Sequence, residues 1–532
     1  MLGWEFPPHI SGGLGTACHG LTVGLARAGV EVLFVVPKAL GDEDASHIRL
    51  IGANQVRFRR RVRVPREAPA GSTAAGSTAA GSTGESAAAV AVERIRAGAT
   101  AGESHLWRVV EAQLRSSAGY ASPDEIEATM GAAPIVDLGS ALSPYADPGA
   151  AMALPADLQS ALQPWLPTGL LENLVLGGRP FDAPGWRELA KTVAAALRAR
   201  QAALDAPAAA SPDVEYEVEE RLAFQGGYGH DLFGEVARFA LAVGEIARRE
   251  QFDVIHAHDW ITFPAAAAAA EISGRPVVAH VHASEHDRSG ENPNPHVKAI
   301  EQLGLDISSR VVCVSHYTAS ILKRRYRVDA AKLRVIHNAV TQDEQRQQWR
   351  GVRHIHDPIV LFLGRVTFQK GPDYFLEAAA RVVSLRPDVL FVVSGSGDML
   401  PAMVERSARL GLAKNVYFTG FLRGKDVERM YSMADLYVMP SVSEPFGITP
   451  LEAMALDVPV IVSRQSGVSE ILTHALKVDF WDVDELANKI LAVLEYAPLR
   501  KNLAESGRDE VRRMRWELRG ELVRDVYKEI LQ

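Results

Sequence analysis

Residues 436–462 read LYVMPSVSEPFGITPLEAMALDVPVIV. Leu436–Met439 is a short continuous apolar run, Val458–Val462 is another, and the segment between them opens a helix at Pro450, a residue suited to a first helical turn. Apolar strands that do not alternate with polar residues belong to a sheet buried on both faces, which is a parallel sheet built from strand–helix–strand units. Moving outward, the same unit repeats. Strands are expected at Ile359–Leu363, Leu390–Val393 and Val416–Phe418, with helices between them. Further upstream a second series alternates. Helix Leu232–Arg249 leads to strand Asp253–His256, helix Ile261–Ile272 to strand Pro276–His282, helix Pro295–Ser308 to strand Arg310–Val314, and helix Tyr317–Tyr326 to strand Leu333–Ile336. At the very start, Leu2–Phe6 reads as an unusually short first strand, followed by a glycine loop, a helix over Leu14–Ala28 and a strand over Val30–Val36. The pattern implies an α/β chain of two doubly wound Rossmann-like domains facing across a cleft.

The expected boundaries are an N-terminal domain over 1–340, a polar linker over 341–357, a C-terminal domain over 358–511, and a last helix within 512–532 that can pack on either domain. Residues 65–210 interrupt the first domain with a composition rich in Ala, Gly, Ser and Pro and with a single lysine, Lys191. Within it, 71–84 is a Gly-Ser-Thr pentapeptide repeated three times, the last copy cut short, and such a stretch buries too little apolar surface to offset its ordering entropy. The block reads as a partly disordered surface insertion, with Leu162–Leu176 ordered and a helix over Gly185–Leu204.

Composition excludes several classes. Of 532 residues, 47% are hydrophobic and 23% charged, ordinary for a globular protein with sizeable cores. Lys plus Arg is 57 against 65 for Asp plus Glu, a net charge of −8, which leaves no basic footprint for nucleic acid. Two cysteines, Cys18 and Cys313, build neither a disulfide framework nor a cysteine-based zinc site and read as buried small apolar residues in a reducing cytoplasm. No run approaches the roughly 18–20 apolar residues of a membrane helix, and no secretory leader is expected.

In open parallel sheets ligands sit beyond the carboxyl ends of the strands, so the residues after each strand carry the functional reading. Ser11-Gly12-Gly13-Leu14-Gly15 lets backbone approach an anion ahead of a helix, although a tight turn explains it equally well. His256-Ala257-His258 and His280-Val281-His282 each place two imidazoles on one side of a strand. A third ligand at a recognised zinc spacing is absent from both, so no metal is expected, and His258 and His282, at the strand ends, are the cleft candidates together with Glu285. Arg365 and Lys370 put two cations on the loop that follows Ile359–Leu363, suited to clamping a diphosphate. Gly395 lies in another strand-to-helix turn. Glu444 and Glu452, with seven residues between them, flank Gly447-Ile448, whose amides face where an anion could bind.

Arg365, Lys370 and the Glu444-Pro445-Phe446-Gly447…Glu452 segment, in register, resemble the retaining GT-B glycosyltransferases. The closest likeness is to the family-4 group that includes sucrose-phosphate and lipid-glycan glycosyltransferases, and residues 1–40 resemble bacterial glycogen and starch synthases. The resemblance covers residues 1–40 and about 225–532. It implies that Glu444 contacts hydroxyls of the donor sugar, that Glu452 holds the nucleotide ribose, and that Arg365 and Lys370 neutralise the departing diphosphate with the amides of Gly447, Ile448, Gly12 and Gly13. It implies further that His258 lies beside the anomeric carbon and that backbone around Phe421 and Leu422 receives the base. Asp457 and Ser466 stand where the family commonly has glycine.

The function this implies is transfer of a hexose, glucose from an ADP- or UDP-sugar, to a glycan acceptor such as an α-1,4-glucan. Fixed cations and helix-end dipoles would do the electrostatic work with no obligatory cofactor or metal, in the cytoplasm. A nucleotide-sugar epimerase of the same architecture and an inactive glycan-binding relative are the alternatives.

Overall fold

A computed structural model of the chain describes residues 1–9, 12–64, 182–205, 214–228, 232–341 and 355–532. The larger of two compact units takes in Met1–Phe58, the described part of Asp137–Gln201, and Glu220–Gln532, so both sheets of the double-domain architecture lie within it. In the smaller unit, the described residues belong mainly to β3 (Phe58–Val64) and β4 (Val214–Glu220), which form a two-stranded sheet. The repeat at 71–84, the segment 162–176 and most of the linker lie outside the described residues.

The N-terminal sheet starts with less strand than the sequence suggests. Within the Leu2–Phe6 run, Phe6 bridges only His9, antiparallel, in the turn that follows, and it is Leu2 that bridges the sheet, to Val35 on one side and Ala257 on the other, both in parallel. That single residue joins β1 (Leu33–Val36) and β2 (Arg49–Gly52) to β5 (Ile255–His258), β6 (Val277–Val281), β7 (Arg310–Cys313) and β8 (Leu333–Val335). The order is β2-β1-Leu2-β5-β6-β7-β8, with each of these neighbouring pairs parallel. Pro7-Pro8 ends the run, because proline cannot donate to a ladder. The chain runs to β1 and β2 on one side of Leu2 and to β5 onward on the other. The topological switch point therefore falls between Leu2 and β5, where His258 ends its strand.

Helix α1 (Gly13–Arg27) covers one face, burying Leu21 and Leu25 with Phe34, Val278 and Val312, while α3 (Leu232–Arg249) and α4 (Phe263–Ser273) build a separate core with Val236, Phe239, Trp260 and Phe263. The helix α2 (Ala183–Asp205) corrects the reading of 65–210 as a surface insertion. Trp186, Leu189, Val193 and Leu197 are buried in the same core, at the i, i+3, i+7 and i+11 spacing of one helix face. Trp186→Ala is accordingly expected to cost about 3–5 kcal/mol of stability, as for other buried aromatic truncations. Chemical denaturation followed by tryptophan-independent circular dichroism measures it, and a loss below 1 kcal/mol would return the helix to the surface.

The C-terminal sheet has six parallel strands in the order β11-β10-β9-β12-β13-β14. They are β9 (Ile359–Leu363), β10 (Leu390–Ser394), β11 (Val416–Gly420), β12 (Leu436–Met439), β13 (Val460–Ser463) and β14 (Leu476–Val478). The last of these, an edge strand of three residues, is not among the sequence expectations. Its own core is built on Phe362, Phe375, Leu376, Phe391 and Ile490. Strand order reverses between β9 and β12, which places this domain's switch point between them.

The last helix, α5 (Trp516–Leu531), returns to the N-terminal domain. A Cβ added at Gly24 would lie 2.1 Å from the carbonyl oxygen of Trp516, and one added at Gly20 would lie 2.2 Å from the Trp516 ring. Only glycines allow α1 and α5 to approach this closely. Glu529 pairs with Arg310 at 2.7 Å and with Arg334, and their cations hold its carboxyl down at about 2. Among the described residues no helix is long and apolar enough to cross a membrane.

Candidate donor and acceptor site

The C-terminal switch point gathers the charged residues. The loop after β9 carries Arg365 and Lys370, and the loop after β12 carries Glu444. The Lys370 ammonium pairs directly with the Glu444 carboxylate, which is 6% exposed, and Ser441 donates to the same carboxylate at 3.4 Å. Lys370 is held there by backbone. Gly371 takes φ +63°, and a Cβ on it would meet the carbonyl of Pro440 at 2.3 Å, so the two loops touch at a position only glycine fits. Arg365 is exposed and reaches Gln369 Oε1 at 3.5 Å, leaving its guanidinium facing solvent. Gly395, at φ +147°, lies against Gly364, where a Cβ would meet the carbonyl oxygen at 1.8 Å. Its amide donates to the carbonyl of Gly420 at 2.8 Å, so the ends of β9, β10 and β11 converge. Phe421 follows, 37% exposed with the Arg423 guanidinium 5.3 Å from its ring centroid, while Leu422 is buried.

Gly447 takes φ +97° and turns the chain into the short helix α6 (Thr449–Ala455), where Glu452 Oε2 accepts from the Tyr431 hydroxyl at 3.2 Å. Across the cleft, a Cβ on Gly13 would lie 4.0 Å from Ile448 Cδ1, and Ile448 packs against the N-terminal core. The exposed Gly12-Gly13 turn and the Gly447-Ile448 turn therefore face each other, one from each domain.

The N-terminal switch point holds a stack of four imidazoles. His256 and His258 stack at 4.6 Å, His280 and His282 at 4.3 Å, and His258 Nδ1 is hydrogen-bonded to His282 Nε2 at 2.9 Å. His258 is fully buried and His282 half-buried. Burial, then the neighbouring imidazoles, pushes His256, His258 and His280 well below the usual histidine range, so they are neutral at pH 7. The Asp259 carboxylate accepts from the amides of His282 and Ala283 at 2.7 and 3.3 Å and fixes the loop.

Glu285 is fully buried rather than facing the cleft. Its carboxylate accepts from Ser289 Oγ and from the Asn294 amide at 3.1 Å, and its own amide donates to Glu301 at 2.8 Å. Glu301, hydrogen-bonded by the Tyr326 hydroxyl, is pushed up to about 8 by burial, against the opposing pull of Arg288. A carboxyl raised on folding lends stability that is full below its unfolded range near 4.5 and is lost as pH rises through about 8. Glu301→Gln is thus expected to melt higher than the parent at pH 9 and level with it at pH 5. Equal melting curves at both values would remove Glu301 as the cause.

Sequence reasoning missed how the two domains hold each other. Ser443 donates to Asp287 at 2.7 Å and meets the Tyr317 hydroxyl at 3.0 Å; Ser315 donates to the carbonyl of Pro445 at 2.5 Å. The Glu470 carboxylate accepts the amides of His316 and Tyr317 at 2.9 and 2.6 Å, capping the N-terminus of a helix in the other domain. Burial raises the Asp287 carboxyl. These partners lie far apart in sequence, and no local spacing marks them.

Comparison with known proteins bears on family and fold. The family model described as "Glycosyl transferases group 1" matches residues 343–510, and that described as "Glycosyltransferase Family 4" matches residues 188–344. An uncharacterized glycosyltransferase of Methanocaldococcus jannaschii is 33% identical over 238 residues, which are 42% of this chain and 61% of the relative. A D-inositol 3-phosphate glycosyltransferase of a Mycobacterium species is 29% identical over 295 residues, 52% of this chain and 67% of the relative. A sucrose-phosphate synthase of Thermosynechococcus elongatus superposes with a TM-score of 0.50 at 22% identity, covering 56% of this chain and 79% of that one, a likeness of fold. The two models together span residues 188–510, and the chain belongs to the family 4, group 1 glycosyltransferases, with a GT-B fold.

Proposed function

We propose that the protein transfers a hexose from a nucleoside-diphosphate sugar to a glycan acceptor with retention of anomeric configuration. The observation that carries this reading is the Lys370–Glu444 pair, set between the carboxyl ends of β9 and β12 where strand order reverses. Breaking a glycosyl–phosphate bond builds negative charge on the departing diphosphate and positive charge on the sugar. Lys370 and Arg365, with the amides of Gly447 and Ile448 and those of Gly12 and Gly13, stabilise the first. Glu444, already ordered by Lys370, accepts from the sugar hydroxyls and sets the sugar over the diphosphate. Glu452, held by Tyr431, binds the ribose, and the Gly420–Leu422 turn, with Phe421, borders the base. No step assigned here requires a metal.

On the acceptor side, His258 and His282 border the reacting centre as neutral hydrogen-bonding groups, and retention follows from same-face attack with the leaving phosphate taking the acceptor proton. The donor is an ADP- or UDP-hexose, glucose being the expected sugar. An α-glucan is one acceptor and an inositol phosphate, the class named for the mycobacterial relative, is the other. Two free, buried cysteines support a reducing, cytoplasmic setting.

Thermal-shift measurements with ADP-, UDP- and GDP-sugars identify the donor, since a ligand that binds only the folded state raises the melting temperature. Transfer assays with maltooligosaccharides and with inositol phosphate follow. The expected result is stabilisation by one nucleotide class and transfer to one acceptor. No shift with any nucleotide sugar would overturn the reading.

A further inference from the structure

The two His-x-His pairs lack a third metal ligand in the sequence around them, but the fold brings one from 240 residues away. Cys18, on the buried face of α1, is fully buried. Its Sγ and one nitrogen from each of His258 and His282 all lie within 4.8 Å of one another. His258 Nε2 is itself buried with no hydrogen-bond partner among the described residues, although the ring is packed on both sides. We propose that Cys18, His258 and His282 form a binding site for a single divalent zinc-class cation.

The chemistry of the donor set selects the ion. One thiolate and two imidazoles suit zinc, with metal–sulfur near 2.3 Å and metal–nitrogen near 2.0–2.1 Å, so the three groups need to draw in by roughly an ångström. Magnesium and calcium prefer oxygen and would not compete. Both imidazoles are neutral at pH 7 and offer lone pairs, while burial raises the Cys18 thiol, as do the charges of Asp259 and Glu5. Binding is therefore an exchange: the thiol proton leaves to solvent and a sulfur–metal bond forms, while each neutral imidazole offers the ring nitrogen that carries no proton. The Asp259 and Glu5 carboxylates, whose charge disfavours the bare thiolate, favour the cation beside it. His256 and His280, hydrogen-bonded to each other at 3.1 Å and anchored by Tyr527, back the ligand rings from behind. His282, the half-buried ligand, leaves the fourth position on the cleft side.

The effect on catalysis rests on the role proposed for His258: a bound ion would immobilise that ring and stop transfer.

The test separates the site from that role. Full-length protein, treated with chelator and then titrated with zinc against a chromophoric chelator, is expected to bind one equivalent. Cobalt in place of zinc is expected to give a thiolate-to-cobalt charge-transfer band. Cys18→Ser and His282→Gln should each weaken zinc binding at least tenfold and remove the band, with the melting temperature of the metal-free protein kept in at least one of them. His9→Ala, which removes the exposed group His9, Asp42 and Glu43, should leave both signals intact. Absent zinc binding, undiminished binding in both site variants, or loss in His9→Ala overturns the site. Zinc bound at Cys18 without inhibition of transfer would leave the site standing and overturn the role of His258.

Discussion

Lys370→Ala is expected to lower kcat about 100- to 1,000-fold, the usual effect of removing one preorganised group that meets developing charge. Two losses combine. On the proposed function the departing diphosphate loses one of its two cations, and the other, Arg365, is exposed and only loosely tethered through Gln369. Glu444, 6% exposed, also loses the ammonium that orders it, so the donor sugar is presented by a mobile carboxylate. Lys370→Arg should rescue poorly. A planar guanidinium does not reproduce the point contact that the Lys370 ammonium makes with the buried Glu444 carboxylate. Initial-rate kinetics with the donor found by thermal shift provide the check. A variant within about tenfold of the parent in kcat would remove Lys370 from the site.

A loss of stability as large as that at Trp186 is expected where the last helix seats on α1. Trp516→Ala should cost about 3–5 kcal/mol, and Gly24→Val should be at least as damaging because no side chain can relieve the clash. Trp516 is 6% exposed and its ring and carbonyl fill the notch over Gly20 and Gly24, with Gly520 approaching Gly24 from the other helix. The consequence reaches function. The helix leaves the C-terminal domain yet packs on α1, whose first turn carries Gly13, and on Arg310 and Arg334 through Glu529. Losing its seat loosens the turn that faces Ile448. Denaturant titration measures the stability, and donor KM is expected to rise along with it. Unchanged stability in both variants would show that the helix docks elsewhere.

Much of this was legible in the sequence. Parallel strands buried on both faces are continuous apolar runs, so β9 to β13 and β5 to β8 announced themselves, and the residues after them supplied Arg365, Lys370 and Glu444. What failed was short, sparse or non-local. The first strand reduces to Leu2, because one residue suffices to bridge two strands already aligned. The edge strands Arg49–Gly52 and Leu476–Val478 carry polar residues and only three or four positions. The stripe Trp186, Leu189, Val193, Leu197 was present to be read, but the Ala- and Gly-rich surroundings masked it. Glu285 lies at a strand-end loop by sequence, yet its helix turns inward to meet Glu301. The contacts of Asp287 with Ser443, and of Glu470 with the helix at His316, join residues more than 150 positions apart, and only folding brings them together.

The most direct test is a structure of the protein with a nucleoside diphosphate bound. The account predicts the diphosphate between Lys370 and Arg365, against the amides of Gly447 and Ile448, with the ribose at Glu452. A nucleotide found elsewhere, with Lys370 and Glu444 still paired and untouched, would contradict it.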